Sequence, residues 1–159
     1  MNMGKNVQRS RFIAWFIYSA GAILMITGIA KIWSMFGHAK LLGINDPVFL
    51  IPFRFLLPIV GVFELAISFI CFTTKPKLAA GCIAYLATGF LAYRFALWLI
   101  HWGPCPCLGT LTDALNLPLY PVDIFLRIVL AYLLIGSYIT LFHIWIQQRK
   151  LTKVASIQK

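Results

Sequence analysis

The chain has 159 residues, 61% of them hydrophobic and 11% charged, with 14 Lys and Arg against four acids and a formal net charge of +10. A mean hydropathy of +0.87 exceeds what a soluble domain of this size needs to bury, which excludes an ordinary water-soluble globule and points to lipid as the solvent. The positive charge does not mark a nucleic-acid surface, because the basic residues sit mostly in short segments flanking apolar runs, where they set membrane orientation.

In chain order, residues 1–11 form a basic segment with Lys5, Arg9 and Arg11. The first apolar run follows from Phe12 to Ala30, and three more extend from Val48 to Phe72, Leu78 to Ile100 and Val122 to Ile146. A bilayer core of ~30 Å needs ~20 helical residues, so these runs are long enough to cross it. They are continuous rather than alternating, and in lipid every backbone amide must pair within its own segment or a closed barrel, so the pattern predicts helices. The first run has the position of a signal-peptide core but is longer, and no clear small-x-small cleavage site follows it, so it is read as a span. No Gly/Ser linker, low-complexity tract or fixed-period repeat divides the chain. The expectation is one all-α integral membrane domain over residues 12–146, a bundle of four transmembrane helices, followed by a basic tail over 147–159.

The basic flanks are unequal. Lys5, Arg9 and Arg11, the Lys75 and Lys77 of the turn between spans two and three, and Arg149, Lys150, Lys153 and Lys159 of the tail share one side, nine in all. The other side has Lys31 and Lys40, and no Lys or Arg lies between Ile100 and Pro121. By the positive-inside rule both termini are expected in the cytoplasm (N-in/C-in), in a multi-pass protein of the plasma (inner) membrane. The segment between spans three and four then faces the periplasm or exterior. Trp33, Phe36, Trp98, Trp102 and Tyr120 fall near that outer interface, where amphipathic rings are favoured.

That segment carries Cys105-Pro106-Cys107. An oxidising compartment lets disulfides form and persist. Residues i and i+2 of an extended segment project to one face, so the two sulfurs can meet across Pro106. A disulfide over so small a ring departs from relaxed geometry, and strained, exposed disulfides are the labile, more oxidising ones. Pro104 and Pro106 restrict the backbone and keep the reduced thiols close. The pattern favours a redox-active pair, Cys105 and Cys107, with His101 as a group for proton transfer near neutral pH. Two plainer readings stay open. One is a local disulfide that stiffens the loop; the other is a zinc site, for which two thiolates need further ligands and only His101 and His38 are candidates. After Cys107, the residues Gly109, Thr110, Thr112 and Asp113 suggest a short capped helical turn, whose start favours a nearby thiolate. Cys107 is the nearer and is expected to attack, with Cys105 resolving. Cys71 and Cys82, on opposite arms of the hairpin between spans two and three, read as small packing residues.

Charged residues interrupt or border the apolar runs. At 1.5 Å per residue, Arg54, Arg94 and Arg127 each come ~6 to 10 Å below the outer ends of spans two, three and four, with Lys31 closing span one at nearly the same height. A charge at mid-membrane costs at least ~2.5 kcal/mol, so such residues usually face the bundle interior and serve a function. The expectation is an electropositive layer beneath the cysteine loop, which favours the thiolate and suits an anionic or carbonyl-bearing ligand such as a quinone headgroup. Lys31, Arg54, Arg94, Arg127 and Glu64 are the candidate ligand-binding residues. The plainer alternatives are that Arg54 and Arg127 snorkel to lipid phosphates and that Asp123 and Arg127 satisfy each other as an i, i+4 pair. Glu64 falls roughly 10 Å below Arg94, where a carboxylate must be paired or protonated. Arg94, Tyr85, Thr88 and Tyr93 are its candidate partners, and its candidate roles are a proton carrier and a polar clamp between helices. His143 and His38 have no usable partner spacing and read as structural.

Gly28-Ile29-Ala30-Lys31 at the close of span one, Phe63-Glu64-Leu65 in span two and Cys105-Pro106-Cys107-Leu108-Gly109 before span four resemble the DoxX-like membrane proteins, most closely the MauE (methylamine utilisation) subgroup, over about Phe12 to Ile146. The resemblance implies a four-helix membrane protein of redox and disulfide chemistry. Its MauE branch implies a part in maturing a disulfide-rich periplasmic dehydrogenase subunit, and other relatives imply links to thiosulfate and quinone metabolism. The Cys-Pro-Cys tripeptide is also similar to that of the mitochondrial intermembrane-space import oxidoreductase, whose fold is unrelated. The expected function is a membrane thiol–disulfide oxidoreductase with a periplasmic thioredoxin-like partner or client and a quinone-like acceptor near Arg94. The alternatives are a non-catalytic membrane subunit or assembly factor with a structural Cys-Pro-Cys loop, and a small-molecule transporter, which the short chain and lack of inverted repeats disfavour.

Overall fold

The computed structural model describes residues 3–36, 40–101 and 119–157. Among them are four long helices and no strand: α1 (Met3–Ser34), α2 (Phe53–Thr73), α3 (Pro76–Leu99) and α4 (Leu119–Ile157). Arg11–Ser34, Phe53–Thr73, Pro76–Leu99 and Tyr120–Arg149 are each long and apolar enough to cross a membrane. Their most apolar windows are only 33, 28, 22 and 17% buried, so most of the apolar surface of each helix points away from the protein. Large side chains such as Phe12, Trp15 and Phe63 are exposed. Contiguous apolar surface on this scale is untenable in water and natural in hydrocarbon, where helices also satisfy their own backbone. The chain is a multi-pass membrane protein.

Helix boundaries follow from local chemistry. The helix α1 runs beyond the first apolar stretch at both ends, through the basic segment and on to Ser34, whose hydroxyl donates to the Lys31 carbonyl at 2.6 Å. The second helix starts at Phe53 rather than Val48. The Asp46 carboxylate accepts from the backbone N–H groups of Val48 and Phe49, both at 2.8 Å, a turn that draws the chain away from a helical path. Leu50 takes a φ of 58°, and the Asp46 N–H donates to Ile51 O at 2.9 Å. The apolar residues 48–51 are therefore a tight loop, and Pro52 stands just outside the helix. At the other end of α2, the Thr73 and Thr74 hydroxyls donate back to the Phe69 and Ile70 carbonyls at 2.8 Å each, and Ile70 O also accepts the Thr74 N–H at 3.0 Å. Pro76 then opens α3, where its missing N–H costs nothing.

The helix α1 packs mainly on α2, and α3 on α4; the two hairpins join through smaller contacts. Phe16, Ala20 and Leu24 of α1, Cys71 of α2, Ile83 of α3 and Leu133 of α4 share one core. Cys71 is buried there and Cys82 is half-buried; both are free thiols.

The α1–α2 crossing is the tightest feature. A Cβ at Gly28 would come 2.9 Å from Gly61 O, and one at Gly61 would come 2.8 Å from Gly28 O. Neither position has room for a side chain, and the two backbones touch as small residues permit in membranes. A turn or more away, Ser68 donates across the interface to Gly21 O at 2.8 Å.

A buried polar network as candidate functional site

The glycine crossing determines where the first pair of charges meets. Gly61 lies against Lys31, whose Cβ a side chain at 61 would approach to 3.2 Å, and Gly28 lies against Glu64, at 3.3 Å. The helices are antiparallel, and a helical side chain leans toward the N-terminus of its own helix. Lys31 and Glu64 therefore lean toward each other past the crossing and form an ion pair of 2.5 Å, with side chains 8 and 2% exposed. Phe90 of α3 presents its ring to the ammonium, 5.4 Å from the centroid, a favourable cation–π contact. Glu64 Oε2 has no hydrogen-bond partner among the described residues. Leaving such an atom dry costs about 1 to 3 kcal/mol, and more when it is charged.

Nearer the end where α3 leads into the cysteine segment, Asp123 of α4 accepts from Arg94 of α3 through Oδ1 and from Arg127 of its own helix through Oδ2, each at 2.7 Å. Arg94 is largely buried, whereas Arg127 is 66% exposed. On the other flank the Tyr93 hydroxyl donates to Asp46 Oδ2, which ties the connection between α1 and α2 to α3. Three of the four acids in the chain, Asp46, Glu64 and Asp123, are thus buried and partnered.

Two spaces adjoin this network. A half-open, mostly apolar cavity of about 70 Å³ is lined by Thr27, Lys31, Glu64, Phe90, Tyr93 and Arg94 together with Ile23 and Leu24 of α1 and leucine and valine side chains of α4. A groove of about 390 Å³ between α3 and α4 is lined by Arg94, Asp123 and Arg127 with Phe95 and Trp98 among its apolar walls. Arg94 borders both. The groove falls within the ~300 to 1,000 Å³ range of small-molecule sites, and the cavity is far below it.

The expected residues come together only in part. Glu64 pairs with Lys31 and not with Arg94, because the Gly28–Gly61 contact brings α1 closer to it than α3. Of the other candidate partners, Tyr85 is exposed, Thr88 bonds to Ala84 O and the Tyr138 hydroxyl, and Tyr93 is bonded to Asp46. Arg94 and Arg127 converge on one carboxylate, while Arg54 is exposed and does not join them. Carboxylates neutralise much of the expected positive layer: Lys31 is matched by Glu64, and one surplus charge remains on the Arg94–Asp123–Arg127 cluster. His101, just past α3, takes a φ of 56° and places Nδ1 3.3 Å from Leu99 O. Cys105, Cys107 and His38 lie outside the described residues. The sequence reading missed Asp46, although an Asp-Pro step ahead of a second proline is a turn signal. No protein-family model, curated protein or solved structure matches the chain.

Proposed function

We infer that this membrane protein exchanges thiols for disulfides through Cys105 and Cys107 on the outer side of the plasma membrane, and passes electrons between that pair and a quinone-like acceptor. Closing the disulfide from two thiols releases two electrons and two protons, the stoichiometry that converts a quinone to a quinol. The observation that supports this most is the Arg94–Asp123 ion pair. Arg94 lies five residues before the end of α3 and Asp123 four after the start of α4. The pair clamps together the two helices that the cysteine segment joins, and the groove beside it offers guanidinium donors to a carbonyl or anionic headgroup. The likeness of Cys105-Pro106-Cys107-Leu108-Gly109 to the DoxX-like, MauE-type motif supports the same chemistry, with a periplasmic thioredoxin-like protein or disulfide-bearing client as partner.

Purified protein in lipid is expected to turn over a small dithiol with a soluble quinone, and Arg94→Leu to impair turnover more than folding. A well-folded wild-type protein that shows no turnover would remove the enzymatic reading. A non-catalytic membrane subunit or assembly factor is then favoured, since ion pairs between neighbouring helices are what a purely structural bundle also needs. Orientation has its own test in a chain otherwise free of cysteine. Thr112→Cys should react with an impermeant maleimide added outside intact cells, and Thr74→Cys only after the membrane is opened. Outside labelling of Thr74→Cys would place the cysteine pair in a reducing cytosol.

A further inference from the structure

The groove between α3 and α4 has two unlike ends. Toward the cysteine segment it holds Arg94, Asp123 and Arg127, and toward the membrane centre Leu91 of α3 with Leu130, Ala131 and Leu134 of α4. Arg127 and Leu134 are seven residues apart, ~10 Å along the helix. Leu91, Phe95, Trp98 and Ala131 on its walls are exposed, so the groove opens sideways into lipid as well as toward the helix ends. Its charges do not balance. One carboxylate serves two guanidiniums, both of its oxygens are taken at 2.7 Å, and among the described residues neither arginine has another partner. Arg127 leans toward the N-terminus of α4, as helical side chains do, and meets Asp123 a turn nearer the surface with its side chain 66% exposed. A guanidinium carries five N–H donors, and only Nη2 of this one is engaged.

We propose that this groove is a binding site for an anionic glycerophospholipid, with the phosphate on Arg127 backed by Arg94 and one acyl chain laid along Leu91, Leu130 and Leu134. Surplus positive charge at membrane depth is costly, and a lipid phosphate supplies the missing anion in the geometry that a guanidinium fork matches. The order of the groove is also that of a phospholipid in the adjoining leaflet, with the charged group toward the surface and the hydrocarbon beneath it. A headgroup of net negative charge fits the single surplus charge better than a zwitterionic one, whose own cation faces the guanidiniums. The exposed Arg54, in the first turn of α2, does not line the groove and has no such apolar run below it. The groove is the one assigned above to the acceptor, so lipid and acceptor exclude each other there, but lipid binding itself does not rest on the thiol reading.

The full chain, delipidated in mild detergent and titrated with phosphatidylglycerol under native mass spectrometry, is expected to take up one tightly held lipid, and to hold phosphatidylcholine of the same chains more weakly. Arg127→Gln is expected to weaken the phosphatidylglycerol complex about tenfold, the scale of one charge-assisted hydrogen bond. Both variants at exposed positions, Arg127→Gln and Arg54→Gln, are expected to fold, with circular dichroism as the check, and Arg54→Gln to bind as wild type. Ala131→Trp fills the apolar part without touching the guanidiniums and is expected to weaken the lipid as well. Glycerol phosphate, the head without the chains, is expected not to displace it, which separates a lipid site from a free-phosphate site. Equal binding of the two lipids, equal losses in Arg54→Gln and Arg127→Gln, full binding by Ala131→Trp, or displacement by glycerol phosphate would each overturn the proposal. None of these measurements involves turnover, so their failure is distinct from failure of the thiol reading.

Discussion

Lys31→Met is expected to destabilise the bundle by about 3 to 5 kcal/mol, the usual penalty for stranding one member of a buried ion pair. Met keeps the length and apolar contacts of the lysine stem, so the loss isolates the charge. Glu64 then loses its only charged partner in a wall that is otherwise mostly apolar. The double variant Lys31→Met, Glu64→Leu is expected to recover most of the loss, because replacing a whole buried pair by well-packed apolar side chains is often neutral or stabilising by ~1 to 4 kcal/mol. Reversible unfolding in mixed detergent micelles, read for the two single variants and the double, supplies the coupling between the residues. Additive losses would mean that the 2.5 Å contact contributes little to holding α1 on α2.

A second large effect concerns the cysteine pair. If the proposed thiol–disulfide exchange holds, Cys105→Ser is expected to accumulate a covalent complex with the proposed periplasmic partner in cells, while Cys107→Ser accumulates little. The attacking thiol forms the mixed disulfide and the resolving thiol breaks it, so only removal of the resolving one leaves the adduct trapped. Cys107 is assigned the attack because the Gly109 to Asp113 stretch reads as a helix start, where free N–H groups and the helix dipole favour a thiolate. Non-reducing electrophoresis of each variant, before and after reductant, provides the measurement. The opposite asymmetry would exchange the two roles. Equal absence of adducts, with both variants fully functional, would leave the tripeptide a structural staple.

The spans were legible because lipid imposes one rule on every residue of a span, and length and continuity of apolar character express it directly. The heights of Arg94 and Glu64 could be counted from helix ends for the same reason. The partner of Glu64 could not, because counting along each helix says nothing about which helices touch. The relevant signal was present but local: a glycine three residues before each charge, Gly28 before Lys31 and Gly61 before Glu64, allows the backbone contact that brings the two together. The start of α2 was obscured for a different reason. Val48 to Ile51 is as apolar as a helix interior, and the Asp46 side chain, bonding to two backbone amides, together with Pro52 takes the segment out of the helix. That carboxylate acts through geometry two and three residues away, which hydropathy does not register. Arg54 shows the converse limit. Counted from Val48 it shared a level with Arg94 and Arg127, but α2 starts only at Phe53, which places Arg54 exposed in the first turn of the helix.

The contact between α1 and α4 is slight, but it contains a mechanical detent. A Cβ at Gly136 would lie 2.1 Å from the Phe16 ring, so the ring sits directly over bare backbone, edge-on to Tyr132 at 5.5 Å between centroids. The Tyr132 hydroxyl is in turn 2.7 Å from Ser19 Oγ. The neighbouring positions on this face, three or four residues along, carry side chains, so sliding α4 by a turn, ~5.4 Å, sets one of them against the ring. Rotation about the α4 axis does the same. One phenylalanine thereby marks the axial register of a helix otherwise held mainly by α3.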